Sequence, residues 1–178
     1  LLVFLSFFAW NANAQVTSFP FTEGFEGSTF PPTNWSQSQQ SGSTNWASRN
    51  GNYNTSVSAY AGSLNAYFYA ANYSGNRTQL ITPAMDISSV TNPRLVFWHS
   101  QVDWSGDQDT LGVYYRTTAT GSWTLLASYP NLVSSWTERT IDLPNASSTY
   151  YIAFEAYSGY GYGVTIDEFK VEATPSCS

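Results

Sequence analysis

Apolar positions along this chain recur with a period of two. In residues 110–116, Leu111, Val113 and Tyr115 fall on one parity and Thr110, Tyr114 and Arg116 on the other. That alternation belongs to a strand with one buried face. RLVFWHSQV (94–102) is apolar on both parities at its start and reads as a central strand. FPFTEGFE (19–26) places Phe19, Phe21 and Phe25 on one parity. LNAYFYA, TQLITPAMDI, WTLLASY, WTERTIDL, YYIAFEAY and GVTIDEFKVEA add further runs, punctuated by Gly, Pro, Asn and Ser. Pro83 marks a strand end or an edge. Helical periodicity is almost absent. Roughly ten to twelve antiparallel strands with no crossover helix predict an all-β fold, a two-sheet β-sandwich of jelly-roll type. The polar stretch from Ser36 to Ser63 reads as loops over the sandwich, anchored by Trp35 and Trp46.

The first residues break this pattern. LLVFLSFFAW is an unbroken apolar run followed by NANAQ, the layout of a secretory signal with a small-residue cleavage site. The expected organisation is a signal over 1–14, clipped at its front, one module over 15–173, and a linker or next module opening at 174–178. Export then sets the class of partner. Twelve acids against six bases give a net charge of −6, and Lys170 is the only lysine. With no basic patch, nucleic acid is excluded as a partner. Polarity comes instead from Ser, Thr, Asn, Gln and Tyr. Aromatic residues make up 17 %, enough to fill a sandwich core and still leave rings for a surface. Cys177 is the only cysteine and cannot staple the module.

Candidate chemistry is sparse. In GYGYGVTIDEF (159–169), Val164 and Ile166 share one parity but Phe169 and Val171 share the other. Either that strand is buried on both faces, or a bulge sits at Asp167 and Glu168. A buried Asp167 needs N–H donors or a cation, because stripping water from a carboxylate is costly. A second oxygen-rich stretch, DWSGDQD (103–109), holds Asp103, Asp107 and Asp109 around a glycine. It reads as a solvated acidic loop or a weaker metal candidate, without the spacing of a helix-loop-helix calcium site.

His99, the only histidine, reads as a hydrogen-bonded core residue. There is no G-x-S-x-G elbow and no His pair or Cys cluster for zinc. Adjacent acids on a regular strand point to opposite faces, which disfavours a two-carboxylate hydrolase. Asn34, Asn54, Asn72, Asn76 and Asn145 open N-x-S/T sequons.

FTEGFEG, PPTNW, Trp46, LITPAMDIS, RLVFWHS, DTLGVYYRTT, SWTLL, SSWTERTIDLP, YYIAFEA and YGYGVTIDEFKV occur in that order. Together they resemble the cleaved-adhesin family, also described as choice-of-anchor J modules. Its layout is similar to that of MAM domains. The resemblance spans residues 19–173 and implies a MAM-like, galactose-binding-like jelly roll. It implies a non-catalytic module of a secreted or cell-surface bacterial protein, similar to gingipain adhesin domains. Such a module binds extracellular protein or glycan, or serves as a spacer beside a secreted hydrolase. The resemblance also implies a structural Ca2+ near the first and last strands, held by Glu26 and Asp167. The family acid that precedes this pair is Gly24 here, and its second Asp is Glu168. The MAM cysteines are missing, so the animal disulfides do not carry over. As glycan-binding rings, Trp35, Trp46, Trp104 and Tyr160 are the candidates.

Overall fold

The computed structural model describes residues 14–71 and 75–175. The expected signal up to Asn13, the sequon at Asn72, and Cys177 lie outside the described residues. Eleven strands follow in order: β1 (Phe21–Glu23), β2 (Ser36–Ser41), β3 (Ala47–Arg49), β4 (Asn65–Phe68), β5 (Arg77–Ile81), β6 (Pro93–Gln101), β7 (Thr110–Arg116), β8 (Thr124–Tyr129), β9 (Val133–Asp142), β10 (Tyr151–Tyr157) and β11 (Val164–Ala173). No helix occurs among the described residues.

All pairings between these strands are antiparallel, and they build the two-sheet sandwich that the alternation predicts. One sheet runs β3-β4-β11-β6-β9, with β1 also paired to β11; the other runs β2-β5-β10-β7-β8. The inward residues of both sheets form one core. Phe97 of β6 meets Phe154 of β10 edge-on at 5.0 Å, and Phe154 meets Phe169 of β11 at 6.1 Å. Each fully buried large apolar side chain of this kind stabilises the fold by about 1.5–3 kcal/mol.

The parity flip in β11 is a bulge. Asp167 pairs with Trp98, but Lys170 pairs with Val96, so β11 carries one extra residue there. Glu168 absorbs it with a φ of 48°. The bulge keeps Val164, Ile166, Phe169 and Val171 all in the core. It also divides one edge of β11 between two partners: Val164–Ile166 pair with β4, and Phe169–Val171 pair with β1.

Two expectations are corrected at the open side of the sandwich. The stretch read only as loops contains β2 and β3, which lie on different sheets. The chain crosses between the sheets there, and its two tryptophans close the gap. Trp35 and Trp46 are 6 % and 2 % exposed, so neither ring is available to a glycan. Trp35 packs edge-on against Phe25 and Phe169 at 5.6 and 5.1 Å. Trp46 donates its indole N–H to the Thr78 carbonyl at 2.9 Å. The Gln37 amide holds the Trp46 backbone from both sides, accepting its N–H at 2.7 Å and donating to its carbonyl at 3.0 Å. SQSQQS has no apolar alternation because β2 is an edge strand whose side chains face water or the crossing chain.

His99 sits fully buried on β6, within 3.4 Å of the Gln101 amide oxygen. Burial, helped by the Arg139 charge, drives its pKa down to about 3. In the unfolded chain it titrates near 6.5. Between those values only the unfolded state takes up the proton. The contribution of His99 to stability is therefore complete above about pH 6.5 and is lost as pH falls toward about 3. His99→Gln is expected to flatten that fall by on the order of a few kcal/mol, measured as urea midpoints across the window. Identical profiles for both proteins would mean that the imidazole charges inside the fold.

Candidate functional site

At the end of the sandwich where β6 and β10 finish and β7 and β11 begin, three glycine N–H groups converge on one carboxylate. Asp109 is 2 % exposed. Its Oδ1 accepts the N–H of Gly159 at 2.8 Å and of Gly161 at 3.1 Å, and its Oδ2 accepts that of Gly163 at 2.8 Å. Burial pushes the Asp109 pKa up, while the three N–H groups pull it down. The alternation of GYGYG follows from this cage. Each glycine must turn its backbone inward, and there is no room for a side chain beside the carboxylate. A Cβ on Gly161 would come within 2.7 Å of Asp109 Oδ2, and Gly163 has a φ of +100°. The intervening tyrosines are left to the surface.

Tyr160 and Tyr162 therefore join Tyr53, Tyr69 and Trp104 around a slot of about 110 Å³ floored by Ala70 and Gly161. Tyr53 stacks on Tyr69 at 3.9 Å, and Trp104 meets Tyr160 edge-on at 4.8 Å. Burial, with a hydrogen bond to Tyr53, pushes the Tyr69 phenol up to about 12. The Tyr69 phenol thus stays neutral at any physiological pH. Arg49 stands over the Tyr53 and Tyr67 rings at 6.0 and 5.4 Å, bringing a cation beside the slot's Tyr53. The slot offers flat ring faces and phenol hydroxyls, lined by Tyr, Trp, Ala and Gly.

Trp104 is held out by a hairpin. It exchanges backbone hydrogen bonds with Asp107 at 3.0 and 2.9 Å, across Ser105 and Gly106, both at positive φ. This is the two-residue turn that matches strand twist. Asp103 accepts the Gly106 N–H at 2.9 Å. The three acids of DWSGDQD therefore do not gather as a metal site: Asp103 braces the turn, Asp107 closes it, and Asp109 holds the glycine loop.

Glu26 and Asp167 meet on one segment, the loop between β3 and β4. Asp167 Oδ2 accepts the N–H groups of Tyr60 and Ala61 at 3.0 and 3.1 Å, and its Oδ1 accepts that of Glu168 at 2.8 Å. Glu26 Oε1 accepts the N–H groups of Ser63 and Leu64, each at 2.9 Å. Asp167 is fully buried, and burial pushes its carboxyl up to about 6 against the pull of those N–H groups. Its cover is Tyr60, stacked on Trp98 at 3.8 Å and edge-on to Trp136 at 6.1 Å.

Neither acid forms an ion pair with Lys or Arg among the described residues. Their oxygens suit a hard cation in type. In number they fall short: among the described residues no three of His, Cys, Asp and Glu gather into a metal-binding group.

Sequence reasoning found Trp104 and Tyr160 but missed Tyr53, Tyr69 and Tyr162. Only the glycine-tyrosine alternation signals Tyr162. Tyr53 reaches the slot from a polar loop with no pattern of its own. Another hollow, about 860 Å³ and lined by Val90, Leu125, Ile141 and Leu143 among others, lies at the opposite end, where β6 begins.

A family profile described as "MAM domain, meprin/A5/mu" matches residues 24–178. Among curated proteins, none matches the chain. Three solved structures show the same fold. The K1 cleaved adhesin domain of Lys-gingipain from Porphyromonas gingivalis W83 is 21 % identical, with a TM-score of 0.68 over 89 % of this chain and 100 % of that one. TmCBM61 in complex with β-1,4-galactotriose is 16 % identical, with a TM-score of 0.61 over 85 % and 94 %. The C-terminal family 22 carbohydrate binding module of Clostridium thermocellum Xyn10B is 13 % identical, with a TM-score of 0.57 over 89 % and 94 %.

The cage itself is testable. Asp109→Ala orphans three buried N–H groups, so it is expected to destabilise the protein by roughly 3–5 kcal/mol and to weaken the near-ultraviolet dichroism of the tyrosine slot. A loss below about 1 kcal/mol would mean that water replaces the carboxylate.

Proposed function

The chain belongs to the MAM domain family, and from that premise we propose that it is a non-catalytic binding module of an exported bacterial protein. Its ligand in this reading is an extracellular glycan or protein, taken by the slot of Tyr53, Tyr69, Trp104, Tyr160 and Tyr162. The observation that carries the proposal is the Asp109 cage. A buried charge is committed to fixing a loop whose outward residues are ligand-sized aromatic rings. Rings fixed in advance lose little conformational freedom on binding. The similar structures, an adhesin domain and carbohydrate-binding modules, support the same class.

Calcium belongs to this proposal as a structural ion. Glu26 and Asp167 would hold it with main-chain carbonyls and water, and it would supply stability to the join between the first and last strands. Tyr60, Ala61, Ser63 and Leu64 already anchor the same carboxylates through their N–H groups. Chelation is expected to lower the Tm by several degrees, with recovery on adding calcium, because an ion bound only to the native state stabilises it. An unmoved Tm leaves the N–H groups as the whole of the clip.

Glycan and protein arrays probed with the purified chain test the binding role. Trp104→Ala and Tyr160→Ala are each expected to weaken the hits by about tenfold or more. Hits of unchanged strength in both variants would remove the slot. A blank array would favour a spacer role, whose mark is that deleting the module from its parent lowers the parent's action on surfaces.

A further inference from the structure

The outer face of the second sheet carries a group of side chains that neither the core nor the tyrosine slot uses. Along β10, Ile152, Phe154 and Ala156 enter the core, so Glu155 and Tyr157 face outward. Register places Tyr157 between Arg77 and Thr110, and Glu155 between Gln79 and Gly112. Gly112 in turn faces Ser128. A glycine in the middle of a sheet leaves a gap in its side-chain layer. Here the Tyr114 ring takes up part of that space, and Gly112 lines a hollow of about 280 Å³, close to the lower end of small-ligand pockets, roughly 300–1,000 Å³. The Tyr114 ring leans across it; a Cβ on Gly112 would come within 2.7 Å of that ring.

The polar groups of the hollow are organised but not used up. Glu155 Oε2 accepts the Gln79 side-chain N–H at 2.8 Å, and its Oε1 lies 3.6 Å from Arg77 Nε. Arg77 lies over the Tyr157 ring at 5.4 Å and is about half exposed. On neighbouring β5, the Gln79 side-chain oxygen is buried and has no donor.

We propose that this hollow is a second binding site, for one pyranose ring of a neutral polysaccharide. The chemistry selects that class. Arg77 and Glu155 cancel each other's charge, so neither a phosphate nor an ammonium group gains by entering. Sugar hydroxyls donate and accept at once, which matches a lining that mixes guanidinium, carboxylate and hydroxyl groups. The faces of Tyr114 and Tyr157 suit the apolar C–H face of a sugar ring. A peptide strand fits poorly, since strand addition needs a free sheet edge, and the backbone of β7 is already paired on both sides.

The site does not depend on the tyrosine slot, and the experiment separates the two. The purified chain is titrated calorimetrically with xylohexaose, cellohexaose and β-1,4-galactotriose. At least one is expected to bind, with Glu155→Gln and Tyr157→Ala each weakening it by about tenfold and Tyr160→Ala leaving the sheet-face contribution in place. Amide NMR of the same titration is expected to shift Gly112 and the Gln79 side chain, which covers the case of a variant that folds poorly. Loss of binding in Tyr160→Ala alone, with Glu155→Gln, Tyr157→Ala and the Gly112 signal unaffected, overturns this site and leaves the slot standing. Absence of binding to all three sugars also overturns it.

Discussion

A chain with few cations must satisfy its buried carboxylates with its own backbone, and much of this module follows from that constraint. Asp109 and Asp167 lie inside the protein, and each gathers N–H groups from a loop outside the strands. Glu26, at the surface, does the same for the neighbouring turn. A carboxylate that accepts several N–H groups fixes several backbone positions at once. Three acids thereby order segments that in other small exported domains are tied by disulfides. The cost is visible in Asp109 and Asp167, whose pKa values burial raises despite the donors around them.

The same constraint decides which aromatic rings are structural and which are available. Trp35 and Trp46 stand where the chain steps from one sheet to the other, and the sandwich needs them to seal that side. Tyr160 and Tyr162 lie between glycines that the Asp109 cage turns inward, so their rings have only the surface to go to. Trp104 reaches the same place because a two-residue turn forces it to the tip of a hairpin. Composition alone could not separate these cases, since all are aromatic residues in polar surroundings.

Legibility in the sequence followed the strength of local pattern. β7 and β10 could be read from alternation because one face of each enters the core, and β6 from an apolar run because it is buried on both faces. The bulge was half legible: Val164, Ile166, Phe169 and Val171 change parity across Asp167 and Glu168, which fits either a strand buried on both faces or an extra residue, and the register shows the extra residue. β2 and β3 could not be read: an edge strand made of Ser and Gln buries too little to leave an apolar signature. The candidate site was half legible. Its glycine-tyrosine repeat was plain, but the carboxylate that explains the repeat lies about 50 residues earlier, in a stretch that read as a solvated acidic loop or a weaker metal candidate. Contacts of that span are written in tertiary geometry, not in spacing.

The pairing of β1 with β11 also governs how the module bears load. Phe21 lies opposite Val171 and Glu23 opposite Phe169, so the chain enters and leaves this strand pair at the same end. A tension applied through those flanks pulls the two strands apart one pair at a time, like a zipper, and never loads all the hydrogen bonds together in shear. The register holds three such pairs, and beyond them lies the bulge with its two acids. Mechanical resistance of the first strand therefore resides in the Asp167–Glu26 region and in the packing of Phe21 on Phe169, at 5.6 Å, more than in the short ladder itself.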